Sequence, residues 1–197
     1  AALAVLATWL LGAFVNVLTA TLALGGFYFY VFIYTRWLKR TSPQNIVIGG
    51  AAGAFPPLVG WAAVTGRVDL TALYLFLIVF YWTPPHFWAL ALLKQKDYGK
   101  AGVPMAPLLW GERETMNQML WYTFILLSVT LLPVAFGAFG LIYLVSAILL
   151  GALLLHGVVR IRRESPWTKA AWWTYKYSLL YLALLFVAMV VDRQLLR

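Results

Sequence analysis

Along this chain apolar residues come in runs of about twenty, each closed by a short polar or Gly/Pro-rich break, a rhythm that predicts membrane-spanning helices. Seven such runs are readable: 1–15, which is short, then 17–35, 45–65, 70–93, 115–136, 139–160 and 169–191. Between them lie Asn16, RWLKRTSPQ, TGRVD, the 94–114 stretch, GAFG and RIRRESPWTK, all rich in turn-forming residues. No break is long enough for a second domain. The expectation is an all-α, polytopic transmembrane helix bundle, a single domain over 1–197.

Composition strengthens that picture. With 63% hydrophobic and 11% charged residues, the chain cannot cover itself as a water-soluble protein must. The absence of cysteine excludes a disulfide framework and any thiolate metal site. A net charge of +9 raises nucleic acid as a partner, but no basic run stands apart from the apolar segments. No nucleic acid is therefore expected; the charge belongs with a lipid bilayer and an anionic substrate. The opening AALAVLATWLLGAFVN has neither methionine nor a charged leader, so no signal peptide is expected and the chain reads as starting inside a helix.

Positive charge also gives an orientation. Arg36, Lys39, Arg40, Lys94, Lys96, Lys100, Arg113, Arg160, Arg162, Arg163, Lys169 and Lys176 fall on one side of the alternating spans, against Arg67, Arg193 and Arg197 on the other. Twelve against three places the rich side in the cytoplasm and the C-terminus outside.

Within YTRWLKR, helical spacing would put Arg36, Lys39 and Arg40 on one face. TSPQN then offers a serine cap and a proline at the first helical position, so the next helix starts with its positive dipole end beside those cations. A diphosphate would suit that place; a snorkelling basic rim accounts for the same residues. In the helix that follows, Gly49/Gly53 and Gly50/Ala54 are spaced for close packing, and Pro56-Pro57 frees backbone carbonyls. A second pair, Pro84-Pro85, precedes His86, which lies eight residues before Lys94 and so about 12 Å inside the span. An ionisable ring at that depth usually faces a wet cavity, although a neutral histidine bonded to a freed carbonyl fits too. Asp97, flanked by Lys94, Lys96 and Lys100, is either a solvated carboxylate or one ligand of a metal holding phosphates.

Two segments, YTRWLKRTSPQNIVIGGAAGAFPPLVGWAAVTG and YWTPPHFWALALLKQKDYGKAGVPM, closely resemble the UbiA-type intramembrane prenyltransferases, and among them the heme O synthases (protoheme IX farnesyltransferases). The resemblance implies a nine-helix fold, of which seven helices are here, with the first two helices and the first aspartate-rich loop missing. The chain alone would then be inactive. It implies magnesium as cofactor, and farnesyl diphosphate and heme B as substrates, joined as a hydroxyethylfarnesyl heme for terminal oxidases. Heme A synthase or an oxidase assembly becomes a prospective partner, and the bacterial inner membrane, with a cytoplasmic active-site mouth, the expected location.

Carried over residue by residue, the resemblance assigns the diphosphate to Arg36, Lys39, Arg40 and Asn45, and magnesium with catalysis to Asp97, supported by Lys94, Lys96 and Tyr98. It assigns the heme to His86, with Trp82 and Trp88 shaping the pocket. Ala101 stands where quinone prenyltransferases carry a further aspartate, which disfavours a quinone or chlorophyll-type acceptor. A transporter or respiratory subunit would need an acidic coupling residue or paired axial histidines, and neither is legible.

Overall fold

The computed structural model describes residues 2–195; Ala1, at the head of the first run, and Arg197, in the charge comparison, lie outside the described residues. In chain order the helices are α1 (Ala2–Phe14), α2 (Val17–Thr41), α3 (Asn45–Thr65), α4 (Leu70–Leu93), α5 (Gln95–Lys100), α6 (Ala106–Leu109), α7 (Glu112–Ala135), α8 (Leu141–Arg163) and α9 (Thr168–Leu195). Six of these, α2, α3, α4, α7, α8 and α9, are long and apolar enough to cross a membrane, and α1 is a shorter apolar helix. The protein is thus a multi-pass membrane protein. The 94–114 stretch, read from the sequence as a polar break, holds two short helices, α5 and α6.

The chain divides into two compact units, 1–80 and 81–197, the division falling within α4. In the first unit α2 packs against α1 and α3. Asn16 sets the start of α2: its Oδ1 accepts from the Thr19 amide at 2.8 Å, capping the helix, while its Nδ2 donates to the Ala62 carbonyl of α3 at 2.9 Å. α3 closes on Gly66, whose left-handed φ of +69° only glycine adopts cheaply. Asp69 caps the following helix through the Thr71 and Ala72 amides at 3.0 and 3.2 Å.

α2 changes character midway. Phe29–Leu38 is a π-helix, with the Thr35 hydroxyl donating to the Tyr30 carbonyl five residues back at 2.8 Å. Tyr34 on this segment lies against Gly49 of α3, where any added Cβ would collide with the ring. Gly49 is therefore a true packing glycine. Gly53 is not: it is exposed with open space around it, so the expected four-residue packing pair reduces to one member.

In the second unit α8 packs along both α7 and α9. Asp192, near the end of α9 and 2% exposed, accepts from the Gly140 and Tyr143 amides at 2.6 and 3.1 Å. It caps α8 from across the unit and satisfies donors that the helix itself leaves bare. Gly157 admits Trp173 and Thr174 from α9, whose atoms lie 2.5–2.6 Å from where a Cβ would stand.

Candidate functional site

The basic residues of the first unit sit where α2 ends. Arg36 and Arg40 are exposed and Lys39 is half-buried. Because Arg36 belongs to the π segment while Lys39 and Arg40 follow it, the single α-helical face expected from their spacing is not what positions them. Arg36 instead lies over the Phe32 ring, 5.4 Å from its centroid, a cation–π seat. The turn into α3 also differs from expectation. The helix starts at Asn45, two residues past the proline, and the Ser42 hydroxyl accepts from the Gln44 amide at 3.1 Å ahead of it. Asn45 itself is fully buried at the head of α3.

In the second unit the deep histidine is held on several sides. α4 runs unbroken through Pro84-Pro85 and carries His86 with 6% exposure. Its imidazole is sandwiched between Trp82, at 4.3 Å and 15°, and Tyr175 of α9, at 4.8 Å and 20°, with Phe87 edge-on at 5.4 Å. Nδ1 lies 2.7 Å from the Ser178 hydroxyl, and the Trp82 indole donates to the Ser178 carbonyl at 2.8 Å. Trp88, assigned to the same pocket by resemblance, is fully buried and packs edge-on against Trp110 and Tyr122. It supports the wall of the unit and is not a ring neighbour of His86.

Beyond the end of α4, a cleft of about 460 Å³ is lined by Lys94, Gln95, Lys96, Asp97, Glu112 and Trp167, among others. Lys94 pairs with Asp97 at 3.4 Å, both well exposed. Glu112 accepts from Gln95 at 2.9 Å and from the Trp167 indole at 3.0 Å, so it ties α5 to the start of α7 and to the segment ahead of α9. Burial, and then the neighbouring Tyr175 phenol, push the Tyr98 phenol up, so it stays a neutral donor at ordinary pH. Glu112, Gln95, Trp167, Tyr175 and Ser178 were not singled out from sequence. Their partners lie up to 96 residues away, a separation that leaves no local signature.

Among the described residues no group of three or more histidine, cysteine or acidic side chains stands ready for a metal. Asp97 offers one exposed carboxylate of the hard-oxygen kind magnesium prefers. That fits an ion held mainly through a diphosphate and water, and does not fit an all-protein cage.

A family model described as the UbiA prenyltransferase family matches residues 1–182. Over 192 residues the chain is 62% identical to the protoheme IX farnesyltransferase of Roseiflexus sp. (strain RS-1), covering 98% of this chain and 36% of that one. It is 55% identical over 192 residues to the protein of that name from Thermus thermophilus, covering 98% and 31%. With the one from Gloeobacter violaceus the figures are 52% over 191 residues, 97% and 63%. The chain thus spans about a third of the length of the first curated relatives it matches. A solved structure from a study of digeranylgeranylglyceryl phosphate synthase superposes with a TM-score of 0.82 at 19% identity, over 97% of this chain and 66% of that one. That likeness concerns the fold alone.

Proposed function

The chain belongs to the UbiA prenyltransferase family, and from that premise we propose that it serves the transfer of a farnesyl group from farnesyl diphosphate to a vinyl of heme B. The observation that carries this reading is identity of 52–62% over 97–98% of the chain with relatives named protoheme IX farnesyltransferase. The bond between the allylic carbon and the diphosphate oxygen breaks, and its electron pair leaves with the diphosphate. The vinyl π pair forms the new carbon–carbon bond. Water adds to the cation beside the ring and loses a proton, leaving the hydroxyl.

The chain's own task is electrostatic and steric. In the first unit Arg36, Lys39 and Arg40, with Asn45, would be candidates for the departing diphosphate through charge-assisted hydrogen bonds; in the second unit, taken by itself, Lys94 and Lys96, with the neutral Tyr98 phenol, would be candidates for the same role. Asp97 would hold magnesium together with the diphosphate, and that ion supplies further charge neutralisation when bound. His86 and Trp82 would receive the heme, Trp88 would serve only by supporting the wall of the unit, and ring faces would shield the allylic cation from water. The positive-inside rule supports a mouth on the cytoplasmic side with the last helix ending outside, and the bacterial relatives support a bacterial inner membrane, which would put that end in the periplasm. The product, a hydroxylated farnesyl heme, makes heme A synthase or an oxidase assembly the prospective recipient.

The test is to incubate the intact protein in nanodiscs with farnesyl diphosphate, magnesium and, in separate arms, heme B, a quinone precursor and a chlorophyll-type tetrapyrrole. Mass spectrometry should find a hydroxyfarnesyl adduct of heme B alone. Conversion of another acceptor, or of none, would overturn the assignment.

A further inference from the structure

Ser178 has one hydroxyl proton and two lone pairs. Its Oγ lies 2.7 Å from the Tyr175 carbonyl, one turn back on α9, and is placed to donate to it. The same Oγ lies 2.7 Å from His86 Nδ1. Only one assignment satisfies both contacts: Nδ1 carries a hydrogen and donates to Ser178, which passes its own proton to Tyr175. The other ring nitrogen, Nε2, is then left with its lone pair free.

The surroundings fix where that lone pair points. Trp82 and Tyr175 hold the ring within 15–20° of their own planes, which blocks a flip about the side-chain axis. Trp82 is itself anchored to the Ser178 carbonyl. One residue of α9 thus grips two of the three stacked rings, His86 through its hydroxyl and Trp82 through its backbone. A histidine that merely filled space at this depth would need one hydrogen bond and no such clamp. A histidine meant to bind a metal needs its remote nitrogen tied, its tautomer chosen and its ring held still.

We infer that Ser178 is a positioning residue which locks His86 in the Nδ1–H tautomer, so that Nε2 is an axial ligand for the iron of the porphyrin substrate. This rests on the heme reading above and goes beyond it, because contact with the porphyrin does not by itself require iron ligation. The Tyr175 phenol has no part in the relay; only its carbonyl and its ring face do.

The experiment compares hemin with metal-free protoporphyrin IX, titrated into the intact protein in nanodiscs and followed in the Soret region. Wild type should bind hemin with the spectrum of a nitrogen-ligated iron. Ser178→Ala should weaken hemin binding by about tenfold or more and alter that spectrum, while leaving metal-free protoporphyrin unaffected. Ser178→Thr, which keeps a hydroxyl, should restore both. If Ser178→Ala weakens both porphyrins equally, or changes neither spectrum nor affinity while His86→Ala abolishes ligation, the positioning role is overturned and the heme reading stands. If wild type binds neither porphyrin, both fall together. A melting curve for each variant separates misfolding from loss of the ligand, and Ser178→Thr carries the decision if the alanine variant melts early.

Discussion

Arg36 and His86 are both basic side chains on long apolar helices, yet the protein treats them in opposite ways. Arg36 hangs exposed from a π turn with the Phe32 ring beneath it. His86 is 6% exposed, stacked on two faces and hydrogen-bonded at one nitrogen. An exposed cation works through charge, which neighbouring cations such as Arg40 share and salt screens. A clamped imidazole would work through one lone pair in one direction. The two regions therefore differ in how far a single substitution should reach.

The largest effect is expected at the clamped end. His86→Ala in the intact protein should lower the yield of farnesylated heme by more than about 100-fold, beyond the roughly 10–100-fold typical of a ligand's supporting partner. Near-wild-type yield would remove His86 from the site. Arg36→Ala should be milder, raising the KM for farnesyl diphosphate by about tenfold, the worth of one charge-assisted hydrogen bond. Arg36→Lys should recover part of that loss, and steady-state kinetics at two salt concentrations would check the charge dependence.

Asp192 sharpens the contrast, because it is as buried as His86 but serves a helix end. Asp192→Asn should cost about 1.5–3 kcal/mol of stability, seen as a lower melting temperature, with heme and diphosphate affinities unchanged in the folded fraction. The smallest effects concern two glycines of α3. Gly49→Ala must displace the Tyr34 ring of the π segment and should destabilise by about 1–3 kcal/mol. Gly53→Ala meets open space and should be neutral or stabilising by up to about 1 kcal/mol. Equal melting temperatures for the two variants would contradict the packing described here.

Much of this architecture is legible from hydrophobic spacing, because a span must be apolar over its whole length whatever it packs against. The runs at 45–65 and 70–93 coincide with α3 and α4. The π segment is not legible, since nothing in FYVFIYTRWL distinguishes it from an α-helix, and the close approach of its Tyr34 to Gly49 has no local signature. His86 stood out through its depth and its prolines, whereas Ser178 did not, because a serine on an apolar helix is ordinary until its partner is known. Trp82 and Trp88 look alike in sequence. The structure separates them by what each ring touches: Trp82 the imidazole, Trp88 the aromatic interior around Trp110 and Tyr122. The roles of the cations and of Asp97 came from the resemblance; spacing alone left a solvated rim as an equal account.

The central claim is a division of labour between a charge-bearing end that holds the diphosphate and a clamped imidazole that holds the porphyrin. It is tested most directly by measuring the binding of unreactive farnesyl thiodiphosphate and of hemin to Arg36→Ala and His86→Ala of the intact protein. The account predicts a crossed pattern: Arg36→Ala loses about tenfold in thiodiphosphate affinity and keeps hemin, while His86→Ala loses hemin and keeps thiodiphosphate. If either substitution weakened both ligands alike, the division of labour would be contradicted.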